Sequence, residues 1–216
     1  MPATLRWGLI GASDVAATRM IPAMRRLGHT VAAVGDPTPE WAATYAERNE
    51  IPASGSVEQL VARDDVDAVY ISTKNEFHRD HAILAARAGK HILCEKPMAL
   101  SVAHAQDMEA ACRAAGVILR IAHQIRLEAI LGRVRELVAA GAVGDVRTVT
   151  LERTGPVGTP RMAWRRDPDQ GGALFDMGVH LIDLVQWVTG LAFREVSAWS
   201  HPDRRERKPD DRSEEH

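Results

Sequence analysis

The chain has 216 residues, with 27 Lys and Arg against 29 Asp and Glu and a net charge of −2, so nothing in its charge points to nucleic acid or to an anionic membrane surface. Two cysteines, Cys94 and Cys112, exclude a disulfide framework, and no run approaches the ~20 apolar residues of a membrane span. A soluble, cytoplasmic protein whose partner is a small molecule is the expectation.

The elements then follow in order. Leu5 to Ile10 reads as a strand broken by Gly11, and Ala16, Met20, Met24 and Leu27 mark one face of a helix from about Asp14. Thr30 to Val34 is a second strand, and Thr38-Pro39 supplies an N-cap and an N1 proline for a helix through Asn49. Ser56 and Gln59 form a capping box for a short helix. Ala68 to Ser72 is a strand, Glu76 to Ala88 a helix stopped by Gly89, and His91 to Cys94 a strand. The helix Val102 to Ala115, ended by Gly116, and the strand Val117 to Ala122 complete a β-α alternation that predicts a Rossmann-type, doubly wound parallel sheet over residues 1–122.

From residue 123 the pattern changes to a long helix with Ile130, Val134, Leu137 and Val138 on one face. Strands are expected at Val146 to Thr154 and Arg194 to Ser200, with a helix from Leu174 to Thr189 between them. That helix carries Met177, Leu181, Leu184, Val185 and Val188 as its core stripe, and Asp176, His180 and Asp183 on another face. Residues 123–200 thus read as an α+β domain that is incomplete, since two strands make a marginal sheet. The stretch 201–216 is charged and lacks large apolar residues, so a disordered tail is expected.

Two stretches carry chemistry. The turn Gly11-Ala12-Ser13-Asp14-Val15-Ala16 stands where a Gly-x-Gly-x-x-Gly/Ala fingerprint belongs, although Ser13 replaces the middle glycine. An ordinary strand-to-helix turn stays open beside the dinucleotide reading. Asp36, at the end of the second strand, can accept hydrogen bonds from ribose hydroxyls, and the next Lys or Arg is Arg48, which favours NAD over NADP. The second stretch is Glu95-Lys96-Pro97, two charges at the carboxyl end of a strand, where ligands collect in open α/β sheets. No Cys or carboxylate cluster has metal-site spacing, so no metal is expected.

Ala88-Gly89-Lys90-His91-Ile92-Leu93-Cys94-Glu95-Lys96-Pro97 and Gly171-Gly172-Ala173-Leu174-Phe175-Asp176-Met177-Gly178-Val179-His180, with the stretches from Trp7 to Ser13 and from Val66 to Ile71, resemble the glucose-fructose oxidoreductase and inositol dehydrogenase (Gfo/Idh/MocA) family of sugar and polyol dehydrogenases. By that resemblance Lys96, Asp176 and His180 match the catalytic set. Thr73, Asn75, His78 and Glu95 fall on the cofactor side, and Arg126, Trp164 and Arg165 on the substrate side. Lys74 stands where many members have proline, and Leu127-Glu128 replaces an aromatic followed by a proline-containing turn. Members continue through further strands of the second domain, which form the family's homo-oligomer surface, so impaired assembly is expected here.

The chemistry of the residues agrees. Oxidising an alcohol requires a base for the hydroxyl proton and a cation for the developing alkoxide. From ordinary values of about 6.5 and about 10.4, histidine needs almost no change to act at neutral pH, whereas lysine would have to give up about 4 kcal/mol. His180 is therefore the expected base, Lys96 the cation, and Asp176 the group that orients the imidazole or binds a second hydroxyl. The sequence thus implies hydride transfer between a nicotinamide cofactor and a sugar or polyol, or else a dinucleotide-binding protein that does not turn over.

Overall fold

The computed structural model describes residues 4–153 and 174–199. Its centre is a six-stranded sheet of β1 (Arg6–Ile10), β2 (Thr30–Gly35), β3 (Ser54–Gly55), β4 (Ala68–Ile71), β5 (His91–Cys94) and β6 (Leu119–Ile121). The order is β3-β2-β1-β4-β5-β6 and every pairing is parallel. Connections reverse direction between β1 and β4, which opens a crevice at the carboxyl ends of those two strands.

Parallel strands covered on both faces must be apolar throughout, and β4 is buried at all four of its positions. The two-residue period of a strand then divides the core. Ile10, Val69 and Ile71 join α3 (Val57–Val61), α4 (His78–Arg87) and α5 (Val102–Ala115) on one face, through Leu60, Ala82, Ala86 and Met108. Leu9 and Tyr70 face the other way, onto α1 (Ile21–Arg26) and α2 (Pro39–Arg48), where they meet Ile21, Met24, Ala42 and Tyr45. The helix leading into α1 carries a π-turn at Ala16–Met20.

Local signals act as expected at several ends. Ser56 accepts from the Gln59 amide while Gln59 reaches back to the Ser56 amide, Pro39 occupies the first turn of α2, and Gly116 closes α5 at φ +67°. A 3-10 turn, Asn75–Phe77, precedes α4. Beyond the sheet, a second 3-10 turn (Gln124–Leu127) leads into α6 (Ala129–Ala139), which packs against α7 (Val179–Thr189). There the Arg135 guanidinium lies 4.7 Å from the centre of the Trp187 ring.

One expectation needs correction. Residues 146–153 and 194–199 are irregular, not strands, since no described residue pairs with them; Val196 and Trp199 are exposed. The Ile130, Val134 and Leu137 side of α6 is left uncovered by the described residues. On α7 and the π-turn before it (Leu174–Gly178), part of the polar face goes inward: Asp176 and His180 are buried alongside Leu184. Thr154, Ser200 and the tail 201–216 lie outside the described residues.

Gly11 has the tightest backbone requirement near the crevice. Its φ is +100°, and a Cβ there would stand 2.8 Å from Thr73 Cγ2 and 2.9 Å from the Thr73 amide nitrogen. Gly11→Ala therefore combines an unfavourable dihedral with a backbone clash, and should lower stability by about 1–3 kcal/mol in urea unfolding. An unchanged midpoint would contradict this account of the turn.

Candidate active site

The turn after β1 is built around two side chains. Asp36, at the end of β2, accepts the amide of Ala12 at 3.0 Å through one oxygen and that of Thr38 at 2.9 Å through the other. Two oxygens offer about four lone-pair sites, so the carboxylate keeps acceptor capacity for ribose hydroxyls. Ser13 turns inward: its hydroxyl lies 2.7 Å from that of Ser72 and accepts the Ala16 amide at 3.1 Å, capping the helix. It is thereby already engaged and does not present a free hydroxyl to a phosphate. Tyr45 donates to the Ser13 carbonyl, and Trp41 to that of Ala12, while Asp14 and Val15 stay exposed at the mouth. A side-chain-free Gly11 held against Thr73 at the switch point fits a dinucleotide, whose pyrophosphate needs close approach to backbone.

The loop after β4 carries Thr73 and Asn75. Thr73 Oγ1 is 3.0 Å from His81 Nδ1, and Asn75 opens the 3-10 turn. His78 is fully buried, its ring spanning the Pro97 carbonyl (2.8 Å from Nδ1) and the Thr73 carbonyl (3.1 Å from Nε2). It therefore supports the loop from within, and a direct cofactor contact is ruled out by its burial. Glu95 accepts the Tyr70 hydroxyl at 2.6 Å, and its other oxygen accepts the Lys96 amide at 3.2 Å. Burial raises the Tyr70 pKa far above its ordinary value, with the Glu95 carboxylate adding to the effect, so this phenol stays a donor.

Lys96 follows directly, and the Lys96–Pro97 bond is cis. Its Nζ donates to the Asp176 carbonyl at 2.5 Å and lies 3.2 Å from Asp176 Oδ1, a contact that joins the end of β5 to the turn before α7 across 80 residues of chain. His180 stands one helical turn further on, the same side of the helix as Asp176. The structure thus brings together all three residues of the expected catalytic set.

Two more residues enter from elsewhere. His123, just beyond β6, meets the His180 ring edge-on with centroids 5.9 Å apart, and its Nδ1 is 3.7 Å from Asp183 Oδ2. Asp183 in turn receives both prongs of Arg126, Nε to Oδ2 at 2.6 Å and NH2 to Oδ1. Arg126 thus anchors α7 through two of its five N–H groups, while its side chain remains 41% exposed. The sequence reading passed over His123; its signal was a polar, titratable residue immediately past the carboxyl end of a sheet strand. Trp164 and Arg165 lie outside the described residues.

The electrostatics favour a neutral imidazole at His180. Burial first, then the charges of Lys96 and His123, pull its pKa down to about 4, against the opposing carboxylates of Asp176 and Asp183. His123 is lowered in the same direction, mainly by burial. His180 Nδ1 and His123 Nδ1 are buried without a hydrogen-bond partner among the described residues.

This sets a sign for stability against pH. The unfolded chain takes up the His180 proton near the ordinary value, about 6.5, whereas the folded chain resists until about 4, so folding stability is lost as pH falls through that window. The urea midpoint should drop between about pH 7 and about pH 5, and by less in His180→Asn. Equal drops in both proteins would contradict the buried, neutral imidazole.

Most of the chain matches two known families. Residues 5–123 match an oxidoreductase family with an NAD-binding Rossmann fold, and residues 131–214 match the GFO/IDH/MocA C-terminal domain. The chain is 39% identical over 199 residues to 1,5-anhydro-D-fructose reductase of Ensifer adhaerens, covering 91% of this chain and 60% of that protein. It is 37% identical to dTDP-3,4-didehydro-2,6-dideoxy-alpha-D-glucose 3-reductase of Streptomyces violaceoruber, over 88% of this chain and 56% of the relative. Among solved structures, aldose-aldose oxidoreductase of Caulobacter crescentus complexed with glycerol superposes with a TM-score of 0.79 at 35% identity, over 87% of this chain and 58% of that one. A 3-ketoreductase from Actinomadura kijaniata, solved with NADP and TDP-benzene, gives a TM-score of 0.73 at 28% identity, over 85% of this chain and 57% of the other. The chain thus spans a little over half the length of these relatives, and it belongs to the GFO/IDH/MocA oxidoreductase family.

Proposed function

We propose that the protein interconverts a sugar or polyol hydroxyl and the corresponding ketone with NAD(H), Lys96 holding the reacting oxygen and His180 exchanging its proton. The observation that carries this reading is the Lys96–Asp176 contact with His180 one turn beyond, a cation, a carboxylate and a neutral imidazole gathered at the carboxyl end of β5. Bound nicotinamide would supply the hydride acceptor. The protein's own residues do the rest. The Lys96 ammonium stabilises negative charge that grows on the substrate oxygen as its proton leaves. His180, uncharged at neutral pH, has a free lone pair to take that proton. Its low basicity means that the acidifying pull of Lys96 on the hydroxyl has to do much of the work. Asp176 holds the Lys96 Nζ in place through its carbonyl and its carboxylate. The names of two relatives, a 1,5-anhydro-D-fructose reductase and a dTDP-3,4-didehydro-2,6-dideoxy-alpha-D-glucose 3-reductase, support a sugar-type substrate, and the trans-1,2-dihydrobenzene-1,2-diol dehydrogenase of Bos taurus supports a vicinal diol.

For the cofactor side, Gly11 lets a pyrophosphate approach the backbone, and Asp36 faces the ribose. A 2′-phosphate would meet the Asp36 carboxylate, with no Lys or Arg between residues 37 and 47 to offset it. NADH should therefore bind at least about tenfold more tightly than NADPH in a fluorescence titration. Equal or tighter NADPH binding would overturn the preference, and the NADP held by the A. kijaniata ketoreductase shows that the family accommodates it.

For the chemical step, Lys96→Ala and His180→Ala should each lower kcat by about two to four decades, with cofactor affinity little changed in the second. Turnover is read from reduced nicotinamide in a screen of polyols and cyclic sugars. If His180→Ala keeps most of its kcat, the proton passes through Lys96 instead. A wild-type chain that binds cofactor but turns nothing over would make it a dinucleotide-binding protein only.

A further inference from the structure

His78 is fully buried and takes no part in the chemistry proposed above, yet its ring is set between the two loops that border the crevice. Nδ1 stands 2.8 Å from the carbonyl of Pro97, the residue after Lys96, and Nε2 stands 3.1 Å from the carbonyl of Thr73. A neutral imidazole has one N–H, so it donates to one of these carbonyls and turns a lone pair to the other. The shorter contact is the one to Pro97. Glu95 is the ionisable neighbour whose charge acts on it, His81 feels the His78 ring in turn, and Tyr70 ties down the Glu95 carboxylate.

We propose that His78 is the positioning residue for Lys96: a proton held on Nδ1 and donated to the Pro97 carbonyl fixes the turn that aims the lysine at Asp176 and the substrate oxygen. Proline lacks a backbone N–H, so the carbonyl is the one backbone hydrogen-bonding group by which Pro97 can be held. Fixing it one peptide beyond Lys96 limits where the lysine's Cα can go, and Nζ must reach Asp176 within hydrogen-bond distance. Burial removes water as an alternative donor and pushes the His78 pKa below the ordinary imidazole value, in keeping with a neutral ring that commits its one proton. A residue that merely filled the core would be indifferent to which nitrogen carried hydrogen.

Two amides separate the possibilities, because the Asn side-chain NH2 falls near the Nδ1 position and the Gln NH2 near Nε2. The kinetic arm rests on the oxidoreductase reading above. His78→Asn should keep kcat within about threefold of wild type, whereas His78→Gln should lower it by about tenfold or more, with substrate KM unchanged in both. Thermal unfolding and NADH titration verify that each variant is folded. Equal losses in two folded variants, or none, would overturn the proposal. A second arm needs neither turnover nor a variant: 15N NMR of the ring nitrogens in the wild-type chain should find the proton on Nδ1. A ring protonated on Nε2 alone would overturn the proposal, even if His78→Gln fails to fold. A wild-type chain that binds no cofactor and turns over no polyol sinks the functional reading instead, and leaves the NMR result to decide the role of His78.

Discussion

The contact between the Lys96 ammonium and Asp176 is the interaction on which the site depends. Both side chains are largely buried, and the contact spans the sheet domain and the helix that follows it. An ion pair removed from water is weak evidence of net stability, since desolvation offsets much of the attraction, but deleting one partner strands the other at a cost of about 3–5 kcal/mol. Its significance is therefore geometric. With Lys96 held to the carbonyl and the carboxylate of one residue, the start of α7 is fixed over the carboxyl end of β5, and His180 is carried into the crevice with it. The same cation contributes to the low basicity of His180. Position and protonation state thus share one origin.

A second tether works in parallel. Arg126 grips Asp183 with two nitrogens, and His123 lies between that pair and the His180 ring. Together the two ion pairs explain why α7 turns a polar face inward. An amphipathic helix ordinarily buries its apolar stripe, but here Asp176 meets Lys96, Asp183 meets Arg126 and His180 meets the His123 ring, all from segments that precede α7 in the chain.

The sheet domain was legible because its signals are local. Alternating strand and helix periodicity, the Ser56-Gln59 box, Pro39 and the glycines after helices act within a few residues of one another, and the elements they predict end close to where expected. The site was legible only in part. The motif residues Lys96, Asp176 and His180 converge as the resemblance implies, but partners contributed over long sequence separations were not visible: His123 beside His180, Arg126 given over to Asp183, and His78 sealed between two carbonyls. Whether a histidine is buried depends on tertiary packing, which composition and spacing do not encode. The same reason accounts for residues 146–153 and 194–199. Apolar alternation gives a segment the capacity to be a strand, and a neighbouring backbone makes it one.

The central claim is that this arrangement moves hydrogen between a carbinol carbon and nicotinamide. It is tested most directly by incubating the chain with NAD and a polyol deuterated at its carbinol carbons, then reading the recovered nucleotide by mass spectrometry. The account predicts deuterium on the nicotinamide ring with the wild-type chain, and its loss in Lys96→Ala. Nucleotide that binds the wild-type chain yet stays free of deuterium, across polyols and cyclic sugars alike, would contradict it.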